Sequence, residues 1–211
     1  MKSVAITCAM DKELTLVRDL ALKQADKRIF CRKSGIGKVN AALTADSLIR
    51  EHRPDIVLSI GCAGTFQPGL KECDAVVAER VAYHDVWCGE GNVPGQVDGF
   101  PLFFECEKSL VDAACAALPE AHRGLLISGD QFFISEEEDL RQKGMYPDAL
   151  AVDMEGAAVA QVCHLHGIPF LAVKIISDTH LDGKQAQHYE GFWQDMAGKS
   201  FAAVEKVLEA L

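Results

Sequence analysis

The chain has 211 residues, about half of them apolar and a quarter charged, and a formal net charge of −10. That length suits one domain with a sizeable core. The acidic balance argues against nucleic acid or an anionic membrane as the main partner, because both reward a basic surface.

Residues 3–9 (SVAITCA) read as a strand, too short an apolar run for a signal-peptide core or a membrane span. Residues 11–23 have helical spacing, with Leu14, Val17 and Ala21 on one face. Glu13 falls in the first turn of that helix, where it either favours the positive end of the helix dipole or faces a ligand. Met10 beside it is core filler by default. A strand near 28–33 leads through SGIGKVNAA into a helix at about 38–51. The glycine turn matches neither a Walker A loop nor a GxGxxG dinucleotide fingerprint, so a tight turn explains it equally well.

DIVLSIG (55–61) is a continuous apolar run, as expected for a strand covered on both faces, and GCAGTF follows as a glycine-rich end. Further strands are expected at 74–83, 124–129, 150–154 and 170–176, with helices near 108–118, 136–143, 155–166 and 191–210. Strand and helix alternate, which predicts a three-layer α/β/α fold with a central, largely parallel mixed sheet and one domain over 1–211.

Ligands in such sheets bind beyond the C-terminal ends of strands. Six acidic or glycine-rich stretches fall there: 9–13, 34–38, 61–65, 128–133, 153–155 and 177–178. In AVDMEGAA (151–158), Asp153 can start a helix while Glu155 either favours that helix end or faces the ligand. Asp178, after a long apolar strand, is either a turn cap or a partly desolvated acid able to donate a proton near neutrality.

The eight cysteines form no CxxC pair and read as reduced, cytoplasmic thiols. Cys163, His164 and His166 are close in sequence, but on a helix those offsets diverge, so no metal site is expected. No cofactor is expected either.

Taken together, AMDKEL, SGIGKVNAALTA, GCAGTF, YHD (83–85), SGDQFF (128–133), VDMEGAAVAQVC (152–163) and PFLAVKIISD (169–178) resemble the 5′-methylthioadenosine/S-adenosylhomocysteine nucleosidases of the purine nucleoside phosphorylase superfamily. The likeness runs over nearly the whole chain. It implies cleavage of the bond between adenine and ribose. Asp178 would protonate adenine N7, Glu155 would bind the ribose hydroxyls and favour the cationic transition state, and Glu13 would orient and deprotonate the attacking water. Met154 would pack against the ribose. Phe132 would stack on adenine, the backbone of Phe133 would bond the base edge, and Met10 and Ile36 would line the 5′-thio pocket.

The same resemblance includes phosphorylases, which hold phosphate with arginines. Hexameric bacterial phosphorylases have an Arg where this chain has Ser59, so water is the expected nucleophile. The chain also departs from the nucleosidase pattern. Lys174 replaces an Arg, which alters water positioning, and Cys62 replaces a Ser near the ribose. The stretch after YHD is shorter, with Trp87 and Pro94 as candidates for a reshaped 5′-pocket wall. The resemblance implies a homodimer in which each subunit completes the other's pocket. The alternatives are a phosphate-dependent purine nucleoside phosphorylase, an aminofutalosine-type hydrolase, and a nucleoside-binding protein without catalysis.

Overall fold

The computed structural model describes residues 1–132, 135–179 and 184–211. β1 (Lys2–Cys8), α1 (Asp11–Ala21), β2 (Lys27–Lys33) and α2 (Lys38–His52) open the chain. β3 (Ile56–Thr65), β4 (Ala75–Tyr83), the short β5 (Phe104–Glu105), α3 (Lys108–Ala117) and β6 (His122–Ser128) follow. Then come α4 (Glu136–Met145), β7 (Ala149–Asp153), α5 (Gly156–His166) and β8 (Phe170–Thr179). The C-terminal helices are α6 (Gln185–Gly191), a π-helical turn (Phe192–Met196), α7 (Ala197–Ser200) and α8 (Ala202–Ala210).

The eight strands make one mixed α/β sheet with helices on both faces, as the alternation predicts. β1 pairs in parallel with β2 and β3, β3 with β8, β6 with β4 and β7, while β3–β7, β4–β8 and β4–β5 are antiparallel. The pairings β3–β8–β4–β6–β7–β3 close on themselves, so these five strands form a ring from which β1 and β2 extend. Periodicity alone does not show this closure, because it depends on antiparallel contacts between strands far apart in sequence. α2 packs with α5, and α1 and α3 both pack with α8. Fully buried aliphatic side chains of β1, β3 and β8, such as Ile6, Leu58 and Leu171, fill the main core with residues from these helices. A smaller cluster of Phe66, Ala82, Leu125, Ile127, Tyr146, Ala149 and Val152 fills the space beside β4, β6 and β7.

Two expected strand ends move. β3 runs on through the glycine-rich GCAGT, and β8 runs on through Asp178 to Thr179, because the two strands pair along their whole length. The pairing contains a bulge: Ala63 is level with Ile176, but Gly64 is level with Asp178, leaving Ser177 as the extra residue. Of the apolar segment Phe100–Phe104, only Phe104 lies in a strand, the two-residue β5 with Glu105. The C-terminal helix expected from 191 begins at Gln185 and is interrupted by the π-helical turn. No helix among the described residues is long and apolar enough to cross a membrane.

Candidate active site

The C-terminal ends of β1, β3, β7 and β8 meet at a cleft. Its lining includes Met10, Glu13, Ile36, Cys62, Phe132, Met154, Glu155 and Asp178, eight of the ten residues expected at a site. Phe133 lies outside the described residues. Lys174 sits beneath the cleft and is not part of its lining.

Glu13 comes from the first turn of α1. Its Oε2 accepts the Met10 N–H at 3.0 Å, closing the helix N-terminus as a capping box does, and its Oε1 accepts the Cys62 N–H at 2.8 Å. Capping and facing the cleft are therefore one placement. A Cβ on Gly61 would stand 2.5 Å from Glu13 Oε1, so only glycine lets β3 pass this close. Burial raises the Glu13 pKa above the usual carboxylate value, against the lowering effect of these N–H groups and of Lys174.

The two carboxylates of AVDMEGAA divide the work. Asp153 accepts the Gly156 N–H at the start of α5 (3.0 Å to Oδ2), the Ser128 hydroxyl (2.5 Å) and the Lys174 ammonium (2.9 Å). Its carboxylate thus holds the first N–H of α5, whose N-cap position is Glu155. Glu155 is aimed into the cleft, with Oε1 accepting the Gly37 N–H at 2.8 Å. Burial, and then the neighbouring Asp153, push the Glu155 pKa up to about 7, opposed by Lys174 and the Gly37 N–H.

Lys174 is 3% exposed and also donates to Ser59 Oγ at 3.1 Å. Burial alone would lower its pKa, but the carboxylates of Asp153, Glu155 and Glu13 outweigh it and hold the ammonium charged. The expected substrate contact is thus a buried counter-charge to the site's acids. Ser59 is its partner, also buried.

Asp178 is 2% exposed on β8, with Oδ1 accepting the Ser177 hydroxyl at 2.6 Å. The hydroxyl that orients it belongs to the bulged residue. Cys62 supplies a thiol that burial, and then Glu13, keep protonated.

Ala9 and Gln131, from two of the expected strand-end stretches, also line the cleft, as do Gln185 and Tyr189, which sequence patterns did not single out. Tyr189 comes from α6, with its hydroxyl donating to Met10 Sδ at 3.2 Å and its ring edge-on to Phe132 (6.0 Å between centroids) and to Trp193 (6.3 Å). Its aromatic character was the available signal, but only the fold of α6 brings it to Met10. Trp87 is 69% exposed, and neither it nor Pro94 lines this cleft. Cys163 is buried while His166 pairs with Asp46 at 2.7 Å, so these side chains do not converge. Among the described residues no group of three or more His, Cys, Asp or Glu could hold a metal ion.

The family model of the phosphorylase superfamily matches residues 20–209. A 5′-methylthioadenosine/S-adenosylhomocysteine nucleosidase of Staphylococcus aureus (strain MRSA252) is 31% identical, the alignment covering 99% of this chain and 100% of the relative. Among solved structures, the corresponding nucleosidase of Neisseria meningitidis, in complex with methylthio-immucillin-A, superposes with a TM-score of 0.92 at 32% identity, covering all of both chains. That of Colwellia psychrerythraea 34H, in complex with adenine, gives 0.92 at 30% identity, covering 100% of this chain and 96% of that one. The chain belongs to the phosphorylase superfamily and, within it, to the 5′-methylthioadenosine/S-adenosylhomocysteine nucleosidase family.

Proposed function

We propose that this chain, acting as one domain over 1–211, hydrolyses the N-glycosidic bond of 5′-methylthioadenosine and S-adenosylhomocysteine, releasing adenine and the thioribose product. The observation that carries this reading is the charge of the cleft. Glu13, Asp153, Glu155 and Asp178 line it, and no Lys, Arg or His does so among the described residues. Such a site stabilises a cationic ribose and repels phosphate, which favours water as the nucleophile.

In this reading Asp178 protonates the departing adenine at N7, and the Ser177 hydroxyl holds the carboxyl in one orientation. Glu155 has one oxygen fixed by Gly37, and its other oxygen takes the ribose hydroxyls; its charge favours the oxocarbenium-like transition state. Glu13 orients water and accepts its proton. Its raised proton affinity suits that task, and two N–H groups fix its position. Phe132 stacks on the base, the Phe133 backbone bonds the base edge, and Met154 packs on the ribose. Cys62 lies near the ribose, and Met10 and Ile36 complete the wall toward the 5′-sulfur.

A cytoplasmic homodimer is part of the proposal. Val39 and Leu43 on α2, Leu165 on α5 and Trp87 are exposed apolar side chains that a second subunit would cover.

The test is adenine release from each nucleoside, with and without phosphate, followed by chromatography. Phosphate-independent adenine with free sugar is the expected result. Adenine formed only with phosphate would replace the hydrolase by a phosphorylase, and none under either condition would leave a hydrolase of another nucleoside, such as aminofutalosine, or a binding protein.

A further inference from the structure

We infer that Asp85 and Lys38, neither of which lines the cleft, are positioning residues that clamp the two rim loops, 34–38 and 129–132, and through Gly37 fix the carboxylate of Glu155. Lys38 Nζ donates to both oxygens of Asp85, at 2.8 and 2.7 Å. Asp85 Oδ2 also accepts the Asp130 N–H at 2.8 Å, and Asp130 Oδ1 accepts the Lys38 N–H at 2.8 Å. These bonds close a circuit through three side chains, those of Lys38, Asp85 and Asp130, and two backbone amides. The Asp85 and Lys38 side chains are only 14% and 24% exposed, so water screens the pair less than a surface ion pair.

The glycines of both loops fit this circuit. A Cβ on Gly129 would lie 2.7 Å from Asp85 Cγ, and one on Gly37 would lie 2.9 Å from Asp130 Oδ1. Gly37 also has φ of 95°, open to glycine at little cost. The clamp reaches the cleft by two routes. One residue before Lys38, the Gly37 N–H meets Glu155 Oε1. One and two residues after Asp130, Gln131 and Phe132 line the cleft. The YHD, SGIGK, SGDQFF and VDMEGAA motifs are therefore one mechanical unit. Asp178 on β8 is outside it.

The kinetic consequences rest on the nucleosidase reading. Loosening the clamp weakens binding of the nucleoside more than departure of the base. It also withdraws the Gly37 N–H that favours the charged form of Glu155, which is otherwise faced by Asp153, Glu13 and Lys174.

The test uses the full chain with D85N, K38M and the milder K38R. Adenine release, amide hydrogen exchange at Gly37, Lys38 and Asp130, and thermal melting are measured on each. D85N and K38M are expected to raise KM about tenfold, as for loss of a charge-assisted hydrogen bond, with kcat within about threefold of wild type. Exchange at Gly37 speeds up, the acid limb of kcat/KM moves to higher pH, and K38R restores most of each effect. Wild-type KM in both variants with unchanged exchange at Gly37 would overturn the clamp. So would losses that merely follow the fraction of unfolded protein. If wild type releases no adenine, the nucleosidase reading falls, and exchange at Gly37 alone decides the clamp.

Discussion

The floor and the rim of the cleft are built in different ways. The floor is buried: Glu13 at the start of α1, Asp153, Ser177 and Asp178 on strands, and Lys174 just beneath them are each 4% exposed or less. Its polar groups hold one another, and one ammonium faces three carboxylates. The rim is loop- and helix-borne and half open, with Ile36 54% and Phe132 48% exposed. It is shaped by glycine turns, aromatic edges and the Lys38–Asp85 pair. Charge that must not move lies on strands and helix starts inside the fold, while surface that meets a ligand lies on segments solvent can reach. Changes in the floor should therefore act on rate and folding, and changes in the rim on binding.

The largest effect is expected at Asp178. D178N should fold and melt as wild type yet lose about 10²–10⁴-fold in kcat, the usual contribution of a general acid. Wild-type turnover in a single-turnover assay of D178N would remove this residue from the mechanism. Next is K174M, which strands Asp153 as an unpaired buried charge. Urea unfolding should show a loss of about 3–5 kcal/mol, whereas K174R should lose much less. Equal stability of K174M and wild type would mean the floor is not held by this pair.

At the rim, F132A should raise KM about tenfold with little change in kcat, consistent with about 1–3 kcal/mol for base–aromatic stacking. A fall in kcat alone would blur the division between floor and rim. The smallest effect concerns stability against pH. The folded-state pKa of Glu155 lies above its unfolded value, so the native state favours the protonated form. Its cost is absent at pH 4, grows from about pH 4.5 through pH 7, and persists above. E155Q should accordingly melt higher than wild type at pH 8 and level with it at pH 4. The reverse order would place the Glu155 pKa below that of the unfolded chain.

Much of this arrangement was legible in the sequence. The alternation of apolar runs with helical spacing gives the layers, and the strand-end rule brings Met10, Glu13, Cys62, Glu155 and Asp178 to one place. What escaped is tertiary in origin. GCAGT looks like a turn because glycine and alanine carry no strand preference, yet β8 pairs with it throughout. The ring closure depends on β4 meeting β8, which no local pattern encodes. Tyr189 reaches Met10 across 179 residues of chain. Lys174 was expected at the site because it stands where the resembling family has an Arg, whereas here it is buried against Asp153 and Ser59, behind the cleft lining.

The bulge at Ser177 makes chain length, as well as side-chain identity, a requirement of the site. Were the ladder regular, Ser177 would stand level with Gly64 and Asp178 with Thr65, turning the carboxyl to the other face of β8. Inserting one residue into 170–176 would shift every side chain between the insertion and the bulge in the same way. Length variation that preserves function is thus expected in the loops and not in β8, and the strand that carries the acid behaves as a ruler.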